Sequence, residues 1–466
     1  MSDTRIERDS MGEIHVPSWA YYAAQTQRAV ENFPISGIPF GTSFIKAVAH
    51  IKKSAAKVNA SLNLITKDQS KYIQKACDEV IAGKFDQHFP IDIFQTGSGT
   101  STNMNANEVI ARRANELAAA DGHLDLKIHP NDHVNFGQSS NDVIPTAIRV
   151  AACLEAKNSL IPSLDHLAKS FEQQAKDNAQ VVKTGRTHLM DAMPVTFAQV
   201  FGGYASQVRA GIERVEAALI RARELPQGGT AVGTGINTHP DFAALFAKDI
   251  ASDTGFSFIE ARDHFEAQST VDAVVELSGQ LKTIAISLMK IVNDLRWMNS
   301  GPNSGLSDIF LAPLQPGSSI MPGKVNPVIE ESVAMVCAQV IGNDTSVNVG
   351  GMMGNFELNV MLPVVAHNVL ESVRLLANAS RNLADMSVSK IKVNTANVTD
   401  KLEKNPILVT ALNPLIGYDL AAKIAKKAYA ENRSLKDVAR EMTDLSDDEL
   451  NKALDPIQMT KGGFTD

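Results

Sequence analysis

Two apolar stripes at helical spacing constrain the fold of this chain more than anything else in it. Phe197, Phe201, Tyr204, Val208, Ile212, Val215 and Leu219 recur at steps of 4, 3, 4, 4, 3 and 4. Leu277, Leu281, Ile284, Leu288, Ile291 and Leu295 recur at steps of 4, 3, 4, 3 and 4. Such steps return a side chain to the same side of a helix, so each set predicts one long helix with an apolar face. Similar patterns cover about 145–178, 328–345 and 363–385. Strand patterns are short and few. The spacing therefore predicts an all-α fold whose long helices pack as a central bundle. Helices of this kind also suit an oligomer core, where a neighbouring chain covers stripes that one chain leaves open.

At 466 residues the chain exceeds what one core encloses, since single cores stop growing near about 250–300 residues. Aromatic residues make up only 6%, so alanine, leucine, valine and isoleucine must fill the interior. Residues 1–138 read as an N-terminal domain of short helices and loops. Residues 139–394 read as the central helical bundle. The stretch 386–400 breaks the pattern as a connector, and 395–466 resume as a small C-terminal helical domain. Ser446 with Glu449 forms a capping box there, and Ser434 with Asp437 a second helix start.

The formal charge of −8 disfavours nucleic acid as a partner, and an anionic ligand needs a local cationic site. Cys77, Cys153 and Cys337 are scattered, as expected of buried, reduced thiols. The N-terminal residues lack an apolar targeting segment, and no apolar run reaches about 18 residues, the span of a membrane helix. A soluble, cytoplasmic protein is expected.

Four polar segments depart from the bundle pattern, each leading into a helix. Gly97–Asn105 (GSGTSTNMN) combines two glycines with four hydroxyls ahead of a helix, whose N-terminus attracts carboxylate or phosphate. An ordinary capped helix start explains it equally well. Gln138–Asp142 (QSSND) precedes Pro145 and also reads as a cap. Thr184–Pro194 (TGRTHLMDAMP) carries His188 in a polar loop before a helix starting near Pro194; taken alone, the histidine is as ordinary as any exposed one. Pro316–Pro327 (PGSSIMPGKVNP) is more telling. Pro327 suits the first helical position and Asn326 the N-cap, which sets Lys324 at a helix end that is already positive. Two positive features at one point make sense if an anion binds there. His129 and His133 are four apart, but Pro130 follows the first, and a zinc pair is not favoured. Gly228–His239 (GGTAVGTGINTH) lacks the strand and acidic residue of a dinucleotide site.

GSSIMPGKVNP at 317–327 is similar to the signature of the fumarase/aspartase superfamily. GSGTSTNMNANEV, HPND, QSSND, TGRTHLMDA, GGTAVGTGINTH, GNFELNV and the tail ILVTALNPLIGYDLAAKIAKKA resemble class II fumarases in order and spacing. The resemblance runs from about residue 5 to 460. Aspartases typically carry Gln where this chain has His188, so aspartate ammonia-lyase is the weaker alternative. A non-catalytic structural protein on the same fold is a second, yet His188, Ser318 and Lys324 are all present.

The resemblance implies a three-domain, all-α subunit in a homotetramer whose active sites draw on three chains. It implies reversible, stereospecific hydration of fumarate to L-malate, a step of the tricarboxylic acid cycle, through an aci-carboxylate intermediate and with no metal or organic cofactor. By the same resemblance Ser318 is the base, and His188 serves the hydroxyl side with Glu331 as its acidic partner. Lys324 and Asn326 would stabilise the aci-carboxylate, flanked by Val325. Ser98, Gly99, Thr100, Ser139, Ser140, Asn141, Thr187 and Ser319 would hold the diacid. His129, Pro130, Asn131 and Asp132 match a second anion site.

Overall fold

A computed structural model describes residues 3–463. Long helices carry the chain, and among the described residues β structure is limited to five two-stranded sheets and an isolated bridge. Both stripes lie on single helices, Phe197–Ala222 and Asp272–Asn299. Every stripe residue is buried within the chain except Ile212, which is half-buried. Each such side chain removed from water stabilises the fold by ~1.5–3 kcal/mol. The segment near 145–178 divides into Ser140–Glu155, a π turn Ala156–Leu160, and Ile161–Asp177. The wide turn falls just before Pro162, which has no N–H to continue the ladder. Among the described residues no helix is long and apolar enough to cross a membrane.

The chain forms two compact units. The first comprises 1–162, 213–285 and 337–377. Its start is a hairpin, Thr4–Asp9 with Gly12–Pro17. Helix Thr42–Ser61 is its hub, packing on Lys67–Ile81, Ser140–Glu155 and Phe242–Thr254. The N-terminal third was expected to hold short helices, but Thr42–Ser61 has 20 residues and Thr100–Ala120 has 21. Both are alanine-rich and buried on several sides, which blurs the one-sided periodicity that marks a surface helix.

The second unit comprises 163–212, 286–336 and 378–466. Residues 184–194 were expected to be a polar loop leading into a helix near Pro194. They form an antiparallel hairpin, Val182–Thr187 with Met190–Thr196, and the helix starts at Phe197. Pro194 is paired with Thr184, and a bulge falls between Thr184 and Arg186. Strand Ile309–Phe310 pairs with Lys392–Val393, within the expected connector. The C-terminal helices close their own core around Leu412, Ile424, Val438 and Leu450. The Ser446–Glu449 capping box and the Ser434 cap form as expected.

Candidate active site

In the second unit the Pro316–Pro327 loop is irregular backbone between Ile309–Phe310 and helix Val328–Gly351. Its shape depends on Gly317, where a Cβ would lie 2.2 Å from the Lys324 carbonyl oxygen. The half-buried Ser318 Oγ accepts hydrogen bonds from the backbone N–H of Ile320 at 3.2 Å and Met321 at 3.0 Å. Two N–H donors aimed at one oxygen favour it when it carries negative charge. Asn326 does not cap the helix as expected. Its amide donates to the Gly317 carbonyl at 2.7 Å and its Oδ1 accepts from Lys324 Nζ at 2.9 Å. The helix accordingly starts at Val328. An ammonium has three donors, so Lys324 retains two beyond that bond.

Lys324, Val325, Asn326 and Glu331 line a cleft of about 510 Å³ together with Arg296 and Trp297. Next to Glu331, the buried Glu330 receives the Ser387 hydroxyl, and burial raises its pKa. The adjacent carboxylates thus differ in role: Glu330 faces inward, and Glu331 is exposed at the cleft. Ser319 is exposed.

Thr187 and His188 sit at the exposed tip of the 182–196 hairpin. His188 and Leu189 both have positive φ, at 56° and 61°, as the two central residues of a tight hairpin turn require. Neither is glycine, and backbone of this kind concentrates at functional sites. Buried Asp308 anchors the hairpin, holding Arg186 through both oxygens at 2.6 and 3.2 Å and Lys183 at 3.3 Å. Asn405 donates to the Ala192 carbonyl at 2.9 Å. His188 makes no hydrogen bond to Glu331 within the chain, and the hairpin does not line the cleft of Lys324.

In the first unit two helix starts carry the other predicted residues. At Gly97 a Cβ would lie 1.9 Å from the Val360 carbonyl oxygen. Gly99 is the N-cap of Thr100–Ala120, left-handed at φ 69° and with no side chain of its own to offer, and the first turn is capped from upstream, where Gln95 Oε1 accepts from the Thr102 N–H at 3.0 Å. Ser98 and Thr100 share a hydroxyl–hydroxyl bond of 2.8 Å. Ser139 caps Ser140–Glu155 in a capping box with Asp142. Buried Asp142 also accepts from the backbone N–H of Gly228 and Thr230, each at 3.0 Å, and Asn141 donates to the Ala231 carbonyl at 2.8 Å. The glycine-rich 228–239 stretch is therefore a brace for the 139–141 turn. Burial raises the Asp142 pKa, against the N–H bonds and Lys52, which lower it.

His129, Pro130 and Asn131 line a separate cleft of about 740 Å³ with Arg5, Arg8 and Arg112. His129 Nδ1 accepts from the backbone N–H of Asn131 at 3.3 Å and Asp132 at 3.2 Å. His133 Nδ1 accepts from the His129 N–H at 2.8 Å. Both histidines thus spend Nδ1 on backbone, and no group of three or more metal-type side chains gathers among the described residues. Arg5, Arg8 and Arg112 of this cleft lie far apart in the chain and carried no signal in the sequence, where nothing ties them to the HPND motif.

Residues 12–342 match the family described as Lyase, and 408–461 match Fumarase C C-terminus. Fumarate hydratase class II 2 of Pseudomonas aeruginosa is 54% identical over 464 residues, covering 100% of both chains. Fumarate hydratase class II of Xylella fastidiosa is 55% identical, covering 99% of this chain and 96% of its own. The crystal structure of class II fumarase from Schistosoma mansoni superposes with a TM-score of 0.94 at 38% identity, over 98% of this chain and 99% of that one. The chain belongs to the class II fumarases. For a class II fumarase, the notable division is that Ser318, Lys324, Asn326, Glu331, Thr187 and His188 lie in one unit, while Ser98–Thr100, Ser139–Asn141 and the His129 cleft lie in the other.

Proposed function

We propose that the chain is a fumarate hydratase, catalysing reversible, stereospecific addition of water to fumarate to give L-malate in the tricarboxylic acid cycle. The observation that carries this reading is Ser318 Oγ held against two N–H donors, beside a lysine ammonium at a helix start. In the malate direction Ser318 removes the proton from the carbon next to a carboxylate. That carboxylate takes the extra charge as an aci-carboxylate, and Lys324 and Asn326 supply donors to it. His188 serves the hydroxyl that leaves as water, with Glu331 of a neighbouring subunit as its partner. Ser98, Gly99, Thr100, Ser139, Ser140, Asn141, Thr187, Ser319 and the Val325 backbone hold the diacid in register. The aspartate ammonia-lyase alternative finds no support among the relatives.

The same reading assigns a homotetramer with composite active sites in the cytoplasm, and domains 1–138, 139–394 and 395–466. Support for association comes from large apolar side chains left open, among them Met335, Met352 and Phe356 at 69, 75 and 93% exposure. His129, Pro130, Asn131 and Asp132, with the arginines around them, form a second anion site.

The test follows fumarate absorbance with L-malate as substrate and a chelator present. Wild type is expected to turn over. Ser318→Ala should lose at least ~10²–10⁴-fold in kcat, while a dicarboxylate inhibitor binds nearly as before. Near-normal turnover by that variant would sink the base assignment, and a wild type inert to malate would sink the function.

A further inference from the structure

Helix Thr42–Ser61 places Lys52 with no exposed surface at all, in the interior of the first unit. Its Nζ donates to Asn135 Oδ1 at 2.8 Å and Gln138 Oε1 at 3.1 Å. Lysine has N–H donors and nothing that accepts in its charged form, so both partners must turn their carbonyl oxygens toward it. Backbone carbonyls, which can only accept, hold the same orientation: Gln138 Nε2 donates to the Val134 and Phe136 carbonyls at 3.1 and 3.3 Å, and Asn135 Nδ2 donates to the Gln138 carbonyl at 3.2 Å. Asn103 must present Nδ2 to Asn135 Oδ1, at 3.2 Å, since an oxygen there would face an oxygen. The same Asn103 Nδ2 reaches Ser140 Oγ at 3.3 Å. Ser140 Oγ therefore accepts from below, and its own O–H has no acceptor among the described residues. Asn103 Oδ1 is left buried and unpaired in this orientation, so its own surroundings do not select it.

We propose that Lys52 is a positioning residue of the diacid site, which sets the direction of a buried hydrogen-bond chain through Asn135 and Asn103 so that Ser140 presents its hydroxyl proton to a substrate carboxylate. The inference rests on the reading of Ser140 as a ligand of the diacid. A serine hydroxyl both donates and accepts, and an anion needs it as a donor. Filling its acceptor side from Asn103 settles which it does before the diacid arrives. Burial pulls the Lys52 pKa down to about 7, with Asp142 and Cys77 opposing. Loss of that proton does not break the chain, because a neutral amine still carries two N–H donors for its two carbonyl partners.

The test is a double-variant cycle on the full-length enzyme, reading KM and kcat for fumarate with Tm alongside. Ser140→Ala should raise KM by about 10-fold or more, as loss of a hydrogen bond to a charged group does. Lys52→Met, which matches the stem in length without donors, should raise KM comparably with Tm held or raised. The double variant should be no worse than Ser140→Ala by more than about two-fold, because the two act through one bond. Lys52→Gln, which keeps an N–H donor, should recover part of the loss, and Asn103→Ala should reproduce it in the same cycle should Lys52→Met not fold. A wild-type KM in Lys52→Met, or losses that multiply in the double variant, overturns the positioning role. A wild-type KM in Ser140→Ala overturns the ligand assignment beneath it, and the two failures are told apart by that single variant.

Discussion

An ammonium group out of water is costly unless something compensates it, and Lys52 faces two neutral amides rather than a carboxylate. The titratable groups that act on it are Asp142 and Cys77, and burial outweighs both, from an ordinary 10.5 to about 7. Below about pH 7 the folded and unfolded chains both hold this proton. Between about 7 and 10.5 the unfolded chain holds it and the folded chain has released it, so stability rises with pH across that window. Cys77 and Cys153 act in the other direction, because burial raises both thiols and the unfolded chain ionises them first. The usable quantity is therefore the difference between wild type and Lys52→Met, which contain the same cysteines. Wild type should gain Tm relative to the variant from about pH 7 to pH 9. A difference that is flat over that range would show that Lys52 keeps an ordinary pKa. Sequence alone hides this residue. Lys52 and Lys53 are adjacent and identical in type, yet Lys53 reaches Asp78 and Asp253 at the surface while Lys52 points into the core.

The elements that carry the site are held by backbone contacts made at glycines. In the 317–327 loop the Gly317 Cα lies so close to the Lys324 carbonyl that even a methyl group forces the two limbs apart. Such a shift moves Ser318 away from the Ile320 and Met321 N–H groups while leaving the helices untouched. Gly317→Ala is thus expected to lower kcat by about 10²-fold, the effect of a misplacement near 1 Å, with Tm nearly unchanged. A Tm that falls with activity would mean the loop supports the fold rather than the chemistry. The loop was legible as a break ahead of a helix because its prolines, glycines and lysine are contiguous, and the two stripes were legible because period 3.6 is written along each helix. The 182–196 hairpin was not. Thr184 to Pro194 shows no alternation, a bulge shifts its register, and its anchors Asp308 and Asn405 lie more than a hundred residues away. Thr100–Ala120 was legible as a helix start but not in its cap, since Gly99 has no side chain to offer and the Thr102 N–H is held instead by Gln95, seven residues upstream.

At the scale of the molecule, the deciding fact is that His188 and Glu331 make no hydrogen bond or ion pair with each other within one chain. His188 stands at an exposed turn with no hydrogen-bond partner among the described residues, and Glu331 lines a cleft that the hairpin does not enter. A histidine meant to handle a leaving hydroxyl needs an oriented acidic partner, and in the proposed oligomer that partner would come from a second copy. Composite sites make a prediction that single-chain sites forbid. His188→Asn and Ser318→Ala are each expected to be nearly inactive as pure proteins. Unfolded together in equal amounts and refolded, they should form mixed oligomers in which some sites draw an intact His188 from one chain and an intact Ser318 from another. Random assortment of two chains over two contributing positions leaves about a quarter of the sites whole, so about that fraction of wild-type activity should return. Mixing without unfolding should return none until subunits exchange. If the refolded mixture is no more active than its parents, each chain builds its own site, and the open apolar side chains at Met335, Met352 and Phe356 need another cover.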